Sequence, residues 1–103
     1  MIGMAGSYHI SLELNTLFGM ETIGSLELGT EKDFAAQVFE ELHGDDQVTG
    51  QGSFTLILTA CEDGVKLPLT MKRCNSDELA WNVKLIAREL FKKYNLEADD
   101  PDN

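Results

Sequence analysis

The stretch FTLILTACEDGVKLPLTM, residues 54 to 71, constrains the fold more than any other part of the chain. Phe54, Leu56, Leu58 and Ala60 recur at every second position up to Asp63-Gly64, and Val65, Leu67, Leu69 and Met71 do so beyond it. A period of two is that of a strand with one face turned to a core, and a two-residue Asp-Gly turn supplies the positive φ that a tight hairpin requires. With Glu62 opposite Val65, Ala60 faces Leu67, Leu58 faces Leu69 and Leu56 faces Met71, so turn and pattern agree on one register. Pro68 lacks an N–H, which points to a strand at a sheet edge or one with its N–H side turned outward. In this register Cys61 stands opposite Lys66. Cys74 lies eight residues further along, roughly 26 Å away at the strand rise, so two free thiols are expected.

A second hairpin precedes the first. Residues 7 to 15, SYHISLELN, place Tyr8, Ile10, Leu12 and Leu14 on one face and His9, Ser11, Glu13 and Asn15 on the other, a strand with one wet side. A strand over about 20 to 28 follows, in which Leu26 and Leu28 alternate with Ser25 and Glu27. Gly24 marks where Ile23 falls out of phase, as at a bulge.

Each hairpin leads into a helix. Thr30 and Asp33 resemble a capping box for a helix bearing Phe34, Val38 and Leu42, with Gly44 expected to end it in a left-handed conformation. Asn75 and Glu78 cap the last helix, where Leu79, Val83, Ile86, Leu90 and Tyr94, flanked by Ala80, Ala87 and Phe91, form a broad apolar stripe expected to face the core. The two helix starts align, Thr30 with Asn75 and Phe34 with Leu79, which is compatible with a duplicated unit. The order ββαββα predicts an α+β fold, an antiparallel four-stranded sheet with two helices packed on one face. A single domain over residues 7 to 96 is expected, between a flexible segment at 1–6 and a disordered acidic tail at 97–103.

Charge narrows the function classes. Eight basic against eighteen acidic residues give a net charge of −10, which opposes nucleic-acid binding by counterion release and repels anionic membranes. No run is long enough to span a bilayer, and MIGMAGSYHI lacks the basic and apolar regions of a secretory signal, so a cytoplasmic protein is expected. The charge is also uneven: residues 1–65 carry Lys32 against eleven acids, whereas residues 66–93 carry seven bases against three acids.

The last helix holds the most informative candidate. With Leu79 at zero and about 100° per residue, Trp81 falls near 200° and Leu85 near 240°, outside the expected core stripe and among Lys84, Arg88 and Lys92. The pair could be covered by the amino-terminal segment or the Leu17-Phe18 loop, could anchor a protein interface, or could stack on a nucleic-acid base. Tryptophan and arginine are favoured interface anchors, so Trp81, Leu85, Arg88, Lys84 and Lys92 are the expected contact residues of a self-associating module, most simply a homodimer.

Other chemistry has weaker support. His9 and Glu13 sit too far apart along one strand for a dyad. EELHGDD, residues 40 to 46, matches no calcium-loop spacing, and a metal-dependent enzyme there is the remotest alternative. Cys61 lacks a histidine placed by the sequence, and the lone G-Q-G at 50–52 leads into a strand, where no helix start can cradle phosphate. A non-catalytic protein with no cofactor or metal is expected. The runner-up is an inhibitor or immunity-like protein that covers a basic enzyme with its acidic surface over residues 21 to 46.

Overall fold

In a computed structural model the structure describes residues 6–45 and 50–94. The terminal segments 1–5 and 95–103, which take in the expected flexible lead except Gly6 and all of the expected acidic tail, lie outside the described residues. The chain runs β1 (Ser7–Thr16), β2 (Gly19–Gly29), α1 (Lys32–Glu41), β3 (Phe54–Glu62), β4 (Val65–Cys74) and α2 (Ser76–Lys93). All pairings are antiparallel and the sheet order is β2-β1-β3-β4, so the expected α+β fold with the order ββαββα is present.

The Asp-Gly turn behaves as its chemistry dictates: Asp63 has φ 52° and Gly64 φ 80°, the positive pair of a tight hairpin. From there Glu62 pairs with Val65, Cys61 with Lys66, Ala60 with Leu67 and Thr59 with Pro68. The expected register then ends. A bulge leaves Leu69 unpaired, so Leu58 meets Thr70 and Leu56 meets Lys72. One extra residue inverts every later side chain. Met71 is therefore turned from the expected core face and is exposed, while Lys72 and Cys74 turn toward the helices. Pro68 lies on an edge strand beside this bulge, as its missing N–H requires. In β2, Ile23 is the unpaired residue between Leu12–Gly24 and Glu13–Thr22, the bulge expected at Gly24.

The core lies between the sheet and the helices. Ile10, Leu28, Leu56 and Leu58 from the strands meet Ala35, Val38, Phe39 and Leu42 from the α1 region and Leu85 and Ile86 from α2. α2 begins as expected: the Asn75 side chain accepts from Glu78 N–H at 2.8 Å, and the Glu78 carboxylate accepts from Asn75 N–H at 3.0 Å. α1 departs from expectation at both ends. Its N-cap is Glu31 without a side-chain cap, so Thr30 does not play that part. Its C-cap is Leu42 in extended conformation, and Gly44 has no positive φ. Gly44 serves close approach instead, because a Cβ there would lie 2.9 Å from Lys72 Cβ and 3.0 Å from the Arg73 carbonyl oxygen. β4 itself terminates α1. Lys72 Nζ donates to the carbonyls of Phe39, Glu40 and Leu42 at 2.7, 3.1 and 2.8 Å, satisfying orphan acceptors at the negative end of the helix dipole.

Candidate functional site

α2 is amphipathic on an axis other than the expected one. Its buried residues are Asn82, Leu85 and Ile86, so the inner face is turned by roughly a third of a revolution from the apolar stripe read off the sequence. Leu85, expected outside beside Trp81, is 5% exposed and belongs to the core. Conversely Val83, Phe91 and Tyr94, expected inside, are 36%, 52% and 59% exposed, with Ala80 and Ala87 exposed between them.

At the centre of the inward face is a buried asparagine. Asn82 is fully buried, its Oδ1 accepting from His43 N–H at 2.7 Å and its Nδ2 donating to the His43 carbonyl at 2.8 Å. A side-chain amide has the donor and acceptor needed to pair with both backbone groups of one residue, so a polar position can face inward without loss. Hydrophobic periodicity scores Asn82 as an outward residue and shifts the stripe accordingly. His43 follows the end of α1, and α2 holds it twice. The Trp81 indole stacks on its imidazole with ring centroids 3.7 Å apart and an interplanar angle of 12°. Trp81 is thus covered in part by the end of α1 and not by the Leu17-Phe18 loop, whose two residues are 73% and 91% exposed, while residues 1–5 of the amino-terminal segment lie outside the described residues.

The cations divide into structural and solvated groups. Lys72 closes α1, and Lys93 Nζ donates to the Leu28 carbonyl at 3.1 Å while lying 4.7 Å from the Phe34 ring centroid. Lys84 and Arg88 are exposed, and Lys92 pairs with Glu89 at 3.5 Å. The outer face of α2 therefore presents Ala80, Val83, Ala87, Phe91 and Tyr94 beside Lys84 and Arg88, with Trp81 and Lys92 further round the helix.

Elsewhere the expected candidates separate. Both carboxylate oxygens of Glu13 lie 2.8 Å from the Thr22 hydroxyl, and His9 is buried at 8% exposure although its face of the sheet carries no helix. That overturns the expected solvated setting for His9. Of EELHGDD, His43 is engaged by α2 and Asp46 lies outside the described residues; no three His, Cys, Asp or Glu side chains converge among the described ones. Both cysteines are free, Cys61 half-buried and Cys74 buried. Burial pushes the Cys74 thiol above its usual pKa, the Glu78 carboxylate adds to the rise, and a hydrogen bond with Asn82 opposes it. No helix among the described residues is long and apolar enough to cross a membrane. No family model matches the chain, and neither comparison with curated proteins nor comparison with solved structures yields a match.

Proposed function

We propose that the protein is a non-catalytic interaction module that self-associates through the outer face of α2. The observation that carries this reading is the stripe Ala80, Val83, Ala87, Phe91 and Tyr94, exposed along roughly 21 Å of a helix already anchored by its opposite side. Its side-chain sizes suit a second copy. Set antiparallel about a two-fold axis at Ala87, Ala80 meets Tyr94 of the partner subunit and Val83 meets Phe91 of the partner subunit, so small residues face large ones. Lys84 and Arg88 line the rim, and Trp81 supports the helix from the side. Each copy carries a charge of −10, so added salt strengthens this association by screening repulsion.

Molar mass by light scattering against concentration tests the reading. The wild type is expected to exceed one chain mass, increasingly so at higher salt. Phe91→Asp is expected to remain a monomer with its thermal midpoint within about 3 °C of wild type, since an exposed position contributes little to folding. A wild type that stays monomeric at every concentration and salt level refutes it.

A second reading rests on a separate observation. Glu21, Glu27, Glu31, Asp33, Glu40 and Glu41 are all exposed, and none forms an ion pair among the described residues. An inhibitor or immunity-like role, with this surface covering a basic enzyme, predicts the opposite salt response: binding that weakens steeply as salt rises and is indifferent to Phe91.

A further inference from the structure

The sheet face without helices carries a site of its own. Glu27, His9 and Thr59 stand side by side on β2, β1 and β3 in one row, and Ser7, Cys61 and Lys66 form the next row on β1, β3 and β4. Both rows line a cavity of about 650 Å³, within the range of small-molecule sites. His9 is the anchor of the site. It is 8% exposed, it lines the cavity, and no hydrogen bond reaches its ring among the described residues. An imidazole always has a hydrogen-bonding capacity to fill, and buried polar groups are filled as a rule. Here the open side is the cavity.

The charges at the rim specify the occupant. Glu27 and Lys66 are exposed on opposite edge strands, and neither is in an ion pair among the described residues. Three strand spacings across the sheet and one row, about 7 Å, along it put their Cα atoms roughly 16 Å apart. With both side chains upright on the sheet, subtracting two hydrogen-bond lengths leaves about 10 Å between the atoms they would hold, the span of three extended residues. A simple anion would meet Lys66 but also Glu27 and the field of a chain with charge −10; a simple cation would meet Lys66. A zwitterion satisfies both ends and carries no net charge. Between the ends, His9 and the hydroxyls of Ser7 and Thr59 offer donors and acceptors for peptide groups.

We propose that this face binds a free tripeptide, its carboxylate at Lys66, its ammonium at Glu27 and its peptide groups against His9. Both ends must be free, which excludes the end of a longer chain. Triglycine is the probe, with N-acetyl-triglycine and triglycinamide as the end-blocked controls. Two readouts report occupancy: the His9 ring resonances by NMR, and the labelling rate of Cys61 by a small thiol reagent, against which buried Cys74 is a silent background. Triglycine is expected to shift the His9 resonances saturably with a Kd of about 1 mM or tighter and to slow Cys61 labelling. Each blocked peptide should bind about tenfold more weakly, the size of one charge-assisted hydrogen bond. Glu27→Gln should lose the same factor and become indifferent to acetylation, and Lys66→Met should become indifferent to amidation; both positions are exposed, so folding is not at stake. Absence of a saturable His9 shift at about 50 mM triglycine overturns the proposal. So does equal binding of the blocked peptides, or full affinity in both variants.

Discussion

The molecule consists of two ββα halves arranged about a pseudo-two-fold axis between β1 and β3, and the halves agree in their strands while differing in their helices. In each hairpin a bulged residue, Ile23 or Leu69, comes five positions after the second turn residue, Phe18 or Gly64. Ile10 and Leu28 in one half match Leu56 and Cys74 in the other, all fully buried. The helices also bury the same spacing, Ala35, Val38 and Phe39 against Asn82, Leu85 and Ile86. That equivalence runs two residues further along α2 than an alignment of Thr30 with Asn75 would place it. Beyond the buried face the resemblance ends. Residues 7–45 hold one base against eight acids and residues 53–94 hold seven bases against five, and of the two helices only α2 adds an exposed stripe of large apolar residues. The same frame thus needs only one face of each helix. What α2 carries in excess is available to another molecule.

Making the second half resemble the first tests which of its special residues hold the frame together. The largest effect is expected from Asn82→Ala, which copies Ala35 but leaves the His43 N–H and carbonyl without their partners; urea unfolding should show a loss of about 2–4 kcal/mol. A loss under about 0.5 kcal/mol would mean that water replaces the amide and that Asn82 does not orient α2. Lys72→Leu, which copies Leu26 of β2, removes the ammonium from three carbonyls and should cost about 2 kcal/mol, with amide hydrogen exchange accelerated in α1 more than in the sheet. Trp81→Ala should cost about 1 kcal/mol through the lost stack on His43 and leave self-association unchanged. If it instead abolishes association at unchanged stability, the interface is centred on Trp81 and not on Phe91.

The smallest effect concerns pH. The Cys74 thiol is held neutral in the folded state, so the unfolded chain gives up that proton first, and stability should fall as pH rises past about 8.5. Cys74→Val should flatten that alkaline slope in urea midpoints measured at pH 8 and pH 10, if it is the thiol that links folding to alkaline pH.

Local chemistry made much of the fold legible. Asp63-Gly64 sets its own hairpin because the turn and the flanking period of two are local properties, and Asn75 with Glu78 caps α2 because both partners lie within one helical turn. Gly24 flagged the bulge at Ile23 for the same reason. The bulge at Leu69 left no such mark: the apolar alternation continues through Met71, and only pairing with β3 shows that Lys72 faces inward to terminate α1. The candidate surface suffered more. A helix with apolar residues around most of its circumference does not state which side is inside, and the deciding contact is that of Asn82 with His43, 39 positions away. His9 likewise read as a wet strand residue until its neighbours on β2 and β3 closed around it.

By itself, then, the sequence determined the elements, their order and the excess of acid, because turns, caps, periodicity and net charge depend on near neighbours or on composition alone. The tertiary structure decided the strand order, the inward face of α2 and the burial of His9, because each depends on hydrogen bonds and packing between residues distant in the chain, whose partners no local pattern names.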